Sequence, residues 1–192
     1  KSPQKDYGYD IADYRSIQPE YGTMEDFKAV LDGAHERGLK VIMDLVVNHT
    51  SDRHEWFQKS IEDPTSKYHD YYFWRKGKGK HRPNNWMSTF AGPAWEYNEK
   101  NDEYYLHLFA VEQPDLNMDN PEVRKEVKDI MKFWLDMGVD GFREDVITFI
   151  SKKKGLPSSP YWFPVATGIE NYMHGPHLDE YLLEFKNDVL SK

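Results

Sequence analysis

The 192 residues include no cysteine. That excludes a disulfide scaffold, a thiolate nucleophile and a Cys-ligated metal. No apolar run approaches the roughly 20 residues of a membrane span, so no membrane association is expected. Positive charge is not in surplus either: 25 Lys and Arg face 33 Asp and Glu, a net charge of −8. Nucleic acid and anionic lipid both need a positive footprint, and neither is expected as a partner. The start at Lys1 carries no initiator Met, no apolar signal core and no Arg-rich transit segment, and a cytoplasmic location is the expectation. Mean hydropathy is low, −0.85. Yet aromatics make up 15% of the chain, with 6 Trp, 13 Tyr and 10 Phe, and disordered chains are poor in aromatics. Rings that stack on pyranose faces, beside carboxylates that bind hydroxyls, suit a sugar-binding cleft. A wet, Tyr-rich surface accounts for the same counts, and composition alone favours it.

Residues 1–22 contain Pro3, Gly8, Pro19 and Gly22 and read as loop with room for one short strand. Thr23 then caps a helix whose buried stripe is Phe27, Val30, Leu31 and Ala34, with Gly38 as its left-handed stop. Lys40–Val47 is apolar on both faces apart from Asp44, the pattern of a parallel strand covered on both sides. From Asn48 to about Glu112 no helical period lasts beyond one or two turns. Trp and Tyr alternate there with Lys, Gly, Asn and Pro, and residues 75–82 form a basic stretch that reads as a flexible exposed loop. Glu103–Phe109 alternates like a strand. About 65 residues is too long for a structureless loop, which suggests an inserted subdomain. Asn120 caps the next helix, Pro121 opens it, Val123, Val127, Ile130, Met131, Trp134 and Leu135 make its stripe, and Gly138 ends it. Gly141–Ile147 is a second strand. A loop from Ser151 to about His177 precedes a last helix with Leu178, Tyr181, Leu182, Phe185 and Val189 on one face.

This alternation is α/β, with a subdomain hung on one strand–helix junction. Two strands cannot close a sheet, and a (β/α)8 barrel typically needs about 250 residues. Either more strands lie in the aromatic region or the chain is a piece of a larger protein. The start at Lys1 and the end within a helix favour the piece.

Catalytic groups of α/β folds gather at the C-terminal ends of the strands. Asn48, His49 and Thr50 follow the first strand; Arg143 and Asp145 lie near the end of the second. Side chains two apart on a strand share a face. A cation beside a carboxylate favours its ionised form, as a nucleophile or an electrostatic stabiliser requires. Seen alone, the pair reads more readily as a structural ion pair, and His49 as a hydrogen-bonded interior histidine. Asp115, Asn117, Asp119 and Glu126 match the ligand spacing of an EF-hand, but Asn120 stands where the turn demands Gly and Pro121 starts a helix too early. His49 and His54, five apart, make a poor metal pair.

Three motifs in order, Asp44–Ser51 (DLVVNHTS), Gln113–Asn117 (QPDLN) and Gly141–Val146 (GFREDV), resemble those of glycoside hydrolase family 13, the α-amylase family, in its oligo-1,6-glucosidase and α-glucosidase branch. Gly8–Tyr14, Tyr21–Glu25 and Asn84–Trp86 add to the likeness, which covers essentially the whole chain. The resemblance implies part of a (β/α)8 TIM barrel, from helix 2 to helix 4, with domain B inserted after barrel strand 3. Residues 1–47 and 113–192 would be barrel segments and residues 48–112 domain B. It implies a retaining glycosidase with Asp145 as nucleophile and Arg143 orienting it. Asp6, His49 and Gln113 match polar groups around the glucose at the cleaved end. Tyr9 matches the platform under that sugar, and Phe90 and Phe109 match aromatic walls. Val146 matches a residue facing the leaving-group sugar, where Val accompanies α-1,6 preference and Thr α-1,4 preference. The general acid of the family would lie beyond residue 192.

No cofactor is implied. Asn48 and Asp115 match calcium-site positions of α-amylases, an ion not expected in the glucosidase branch. The partner implied is a small sugar. The alternatives are a transglycosylase or sucrose-converting enzyme of the same family, and a catalytically silent member serving as a transporter subunit or scaffold. Intact Asp145, Arg143 and His49 count against the silent member.

Overall fold

The computed structural model describes residues 1–79, 81–161 and 167–191. In chain order the main elements are α1 (Met24–Glu36), β1 (Ile42–Val46), α2 (Glu55–Glu62), β2 (Trp74–Arg75), β3 (Trp95–Asn98), β4 (Glu103–Leu106), α3 (Pro121–Met137), β5 (Gly141–Asp145) and α4 (Leu178–Phe185). β1 and β5 pair in parallel, from Ile42 opposite Gly141 to Val46 opposite Asp145. A separate antiparallel sheet has the order β2-β4-β3.

Local chemistry sets the helix ends. Thr23 and Asp26 form a reciprocal capping box at the start of α1. The Asn120 side chain accepts the Glu122 N–H, Pro121 needs no donor partner, and Gly138 at φ 111 closes α3. A Cβ at Gly138 would lie 3.2 Å from Leu31 Cδ2, so this glycine also lets α3 approach α1. Phe27 meets Trp134 edge-on at 5.4 Å in the same seam. Asp140 ties the strand starts together, accepting from Lys40 Nζ at 2.8 Å and from the Val41 N–H at 2.9 Å.

Two cores result. One joins the α3 stripe (Val123, Val127, Ile130, Met131 and Trp134) to Leu45, Val47 and the inner face of α4. The other, around Trp86, Trp95, Leu106, Leu108, Phe109 and Tyr172, lies beside the antiparallel sheet. Buried Asn84 is its polar centre: Oδ1 accepts from the Trp86 N–H and from Trp95 Nε1.

Several expectations need correcting. Residues 1–22 hold a 3-10 turn at Pro19–Tyr21 and no strand among the described residues. Buried Asp10 satisfies that segment instead, accepting from Ser2 Oγ and the N–H groups of Lys5 and Asp6. Val30 is 66% exposed, because α1 rests on α3 through the Phe27–Leu31 ridge alone. β1 is covered only at its C-terminal end: Ile42 is 63% exposed and Leu45 3%. β5 stops at Asp145, since Val146 turns left-handed at φ 40 and ψ 34. The pairing of β4 ends at Leu106, short of Phe109. Of residues 75–82, Arg75, Lys76, Lys78, His81 and Arg82 are exposed as expected, and Lys78 and His81 exchange backbone bonds at 2.8 and 3.2 Å; Lys80 lies outside the described residues. So do residues 162–166 of the expected 151–177 loop, whose described part contains a 3-10 turn at Ile169–Asn171. The last helix continues past α4 as a π turn, Lys186–Leu190.

Each strand of the parallel pair has an open edge among the described residues. Residues 1–192 expressed alone will therefore aggregate or form a molten globule with retained far-UV but lost near-UV circular dichroism. A cooperative calorimetric transition from a chromatographically monomeric sample would refute this.

Candidate active site

The register of β1 and β5 sets Asp44 opposite Arg143. Arg143 Nη1 donates to Asp44 Oδ1 at 2.6 Å and to Asp145 Oδ1 at 3.0 Å, so one guanidinium bridges two carboxylates on the same face. These bonds, the one to Asp44 first, raise its pKa and hold it charged. The Tyr9 hydroxyl donates to Asp44 Oδ2 at 3.2 Å. The Asp44 charge in turn pushes the Tyr9 pKa up and keeps the hydroxyl protonated. Asp145 is 14% exposed at its side chain.

A second knot adjoins the first. Gln113 Nε2 donates to Asp6 Oδ2 at 3.0 Å and to the Tyr9 carbonyl at 3.2 Å. His49 Nε2 lies 3.0 Å from the same carbonyl. Burial drives the His49 pKa down, against the opposing charges of Asp115 and Asp145, and the ring is neutral at neutral pH. Its tautomer follows from its neighbours. Lys152 Nζ donates to Asn48 Oδ1 at 2.9 Å. The Asn48 amide nitrogen then faces His49 Nδ1 at 3.2 Å as a donor. Nδ1 therefore accepts, which assigns the ring proton to Nε2, where the Tyr9 carbonyl and the Gln113 amide nitrogen each lie 3.0 Å away.

An aromatic wall completes the region. Phe109 packs on His49 at 5.1 Å, meets the 55% exposed Phe90 edge-on at 5.7 Å and stacks on Phe149 at 5.9 Å. Val146 packs against the same cluster. Asp6, Tyr9, His49 and Gln113 thus form one polar knot, joined through Tyr9 and Asp44 to Arg143 and Asp145. Phe90, Phe109 and Val146 belong to the wall beside it. No hydrogen bond links His49 directly to Asp145.

Two residues of this arrangement escaped the sequence reading. Asp44 was visible as the only charge in an apolar strand, a signal that went unused. Lys152 gave no signal, because three consecutive lysines, Lys152–Lys154, read as a solvated run. Its side chain is fully buried, with Nζ 2.7 Å from Asp115 Oδ2.

This ion pair bears on the fit of a metal at Asn48 and Asp115. An ammonium already lies between their oxygens, so the donors do not fit a calcium ion. Asp115 also accepts the Leu108 N–H at 2.8 Å, so both of its carboxylate oxygens are engaged within the fold. His54 is not beside His49 as a ligand: its Nδ1 caps α2 by accepting the Trp56 N–H at 3.1 Å. Among the described residues no group of three His, Asp or Glu is placed to hold a metal. No helix among them is long and apolar enough to cross a membrane.

A parallel strand pair with its polar cluster at the carboxyl ends, and an antiparallel insert beside it, is a segment of an α/β barrel. The chain belongs to the α-amylase family, whose catalytic domain matches residues 1–192. It is 56% identical over 194 residues to the oligo-1,6-glucosidase of Parageobacillus thermoglucosidasius, covering 100% of this chain and 34% of that enzyme. The crystal structure of Bacillus licheniformis trehalose-6-phosphate hydrolase superposes with a TM-score of 0.96 at 48% identity, covering 100% of this chain and 34% of that one. Isomaltulose synthase from Klebsiella sp. LX3 gives 0.94 at 46% identity, with the same coverage. The chain spans about a third of the length of these relatives, and its fold is part of a (β/α)8 barrel.

Proposed function

We propose that this chain is the nucleophile-bearing part of a retaining α-glucosidase that releases glucose from the ends of short oligosaccharides. The observation that carries the reading is Arg143 bridging Asp44 and Asp145 at the ends of two parallel strands. In the proposed reaction an Asp145 oxygen attacks the anomeric carbon. The glycosidic bond breaks as a second carboxyl, outside residues 1–192, protonates the leaving oxygen. Water then attacks the glycosyl-enzyme, gives up a proton to that carboxyl and releases glucose with retained configuration. Asp6, His49 and Gln113 would bind the hydroxyls of this glucose, Tyr9 would lie under its ring, and Phe90 and Phe109 would wall it. Residues 48–112 would act as domain B, between barrel segments 1–47 and 113–192. No metal enters the reading, and the cytoplasm is its expected place of action.

The preferred bond is proposed to be α-1,6, on Val146. An apolar side chain there offers no hydrogen bond to the hydroxyls of an α-1,4-linked acceptor and leaves room for the methylene of an α-1,6 link. Val and Thr are nearly isosteric, so the difference lies mainly in one hydroxyl. In the full-length enzyme, isomaltose will be preferred to maltose, and Val146→Thr will move the ratio of kcat/KM values toward maltose by about tenfold. Maltose preference in the unaltered enzyme, or an unchanged ratio, would remove Val146 as the determinant. A sucrose-isomerising reading keeps a place because isomaltulose synthase is among the similar structures. Sucrose turnover by the same protein distinguishes the two.

A further inference from the structure

The basic hairpin at residues 75–82 has no part in the cluster around Asp145. Its tip turns at Gly79, φ +64, and a Cβ at Gly77 would lie 2.7 Å from the His81 carbonyl oxygen. Only glycine fits there, so the backbone of the hairpin closes tightly at this position. It borders a cleft of about 670 Å³ whose opposite wall is Ser158–Tyr161. The two walls are tied together: Asn85 accepts the Ser159 N–H at 2.8 Å and donates to the Ser159 carbonyl at 3.0 Å. Asn84 donates to the Leu156 carbonyl at 3.1 Å. The cleft is therefore pre-formed.

Its lining runs against the character of the chain. Lys78, His81 and Arg82 face the cleft and, among the described residues, no acidic residue does, in a protein of net charge −8. Arg82 is anchored through Nε, which donates to the Trp95 carbonyl at 3.2 Å. Its two terminal nitrogens have no partner among the described residues, and neither do the side chains of Lys78, His81, Ser158 and Tyr161. An adjoining cleft of about 210 Å³ shares Lys78 and Ser158 and adds Arg75 and Lys76. Three basic side chains thus line the cleft beside the apolar faces of Pro83, Pro160 and Met87.

We infer that this cleft binds a phosphate ester of a small sugar or polyol, at a site separate from the one that cleaves glycosides. A guanidinium fork held at Nε presents two parallel donors to phosphate oxygens, and an ammonium and an imidazole beside it add charge. The volume exceeds what a bare anion needs and suits a ligand with a sugar-sized body. A neutral sugar would leave the three cations unpaired. Nucleic acid would need a longer positive stripe on a chain that is acidic overall.

The test is calorimetric titration of the full-length protein with glucose 6-phosphate, inorganic phosphate and glucose. Glucose 6-phosphate is expected to bind at least about tenfold more tightly than either of the others, with micromolar to low-millimolar affinity. Lys78→Glu and Arg82→Gln are expected to weaken it about tenfold or more each, while hydrolysis of isomaltose stays unchanged. A saturating active-site competitor should leave binding intact. No binding below about 10 mM would overturn the inference. So would binding that survives both substitutions, or binding lost to the competitor. Equal affinity for inorganic phosphate would refute the ester and leave a site for the free anion. Apart from the isomaltose control, none of these readouts depends on which glycosidic bond the enzyme cleaves.

Discussion

Asp145→Asn in the full-length enzyme will lower kcat/KM for its best oligosaccharide by about 10⁴-fold or more while leaving the fold intact. The amide oxygen can still accept from Arg143 Nη1, now 3.0 Å from Asp145 Oδ1, so the local hydrogen bond and the packing survive. What would be lost is the anionic oxygen that the proposed mechanism directs at the anomeric carbon. The decisive substrates carry leaving groups that need no protonation, such as a glucosyl fluoride, because they bypass the general acid. Retention of most of the rate on such a substrate would contradict the assignment of the nucleophile. Arg143→Ala should cost about 10²-fold or more on the same substrates, since it frees Asp145 from its aim and leaves Asp44 without its cation. Unfolding midpoints measured alongside separate these losses from damage to the fold.

Lys152→Met will produce the largest loss of stability, about 3–5 kcal/mol, because it leaves the fully buried Asp115 carboxylate without its cation. Urea unfolding of the full-length protein measures it. Lys152→Met combined with Asp115→Asn should recover much of the loss, since the second change removes the stranded charge. Equal stability of Lys152→Met and the unaltered enzyme would mean that the pair contributes nothing. In the single variant the Asn48 amide should keep its orientation, because its nitrogen still donates to Asp115 Oδ2 at 3.2 Å. Nitrogen chemical shifts of the imidazole ring should report an unchanged His49 tautomer, and a proton moved to Nδ1 would contradict this.

α1 and α3 were legible because their ends are written in local chemistry. Thr23 with Asp26, and Asn120 with Pro121 and Gly138, act within a few residues of themselves and need no partner from elsewhere. β1 and β5 were legible as elements but not in their extent. Where coverage ends depends on what packs over Ile42, and the local pattern does not record it. Arg143 and Asp145 could be paired from their spacing, whereas Asp44 joins them only through the parallel register, 99 residues from Arg143. The bond from Gln113 to Asp6 spans 107 positions and that from Lys152 to Asn48 spans 104. Such contacts are set by topology. Roles were assigned to these residues only because whole motifs resemble those of a known family. Lys152 shows the limit most clearly: among three adjacent lysines, nothing in the chain distinguishes the one whose side chain is fully buried.

Lys152 also alters what the molecule must obtain from its surroundings. A bound ion stabilises a fold in proportion to the logarithm of its free concentration, so such a protein is only as secure as its supply. Here the counter-charge to Asp115 is part of the polypeptide. It cannot be removed by a chelator, diluted away on transfer between compartments, or displaced by a competing metal. The position also gives up any capacity to act as a gauge of metal availability. Local integrity around His49 is thereby inherited with the gene rather than negotiated with the medium.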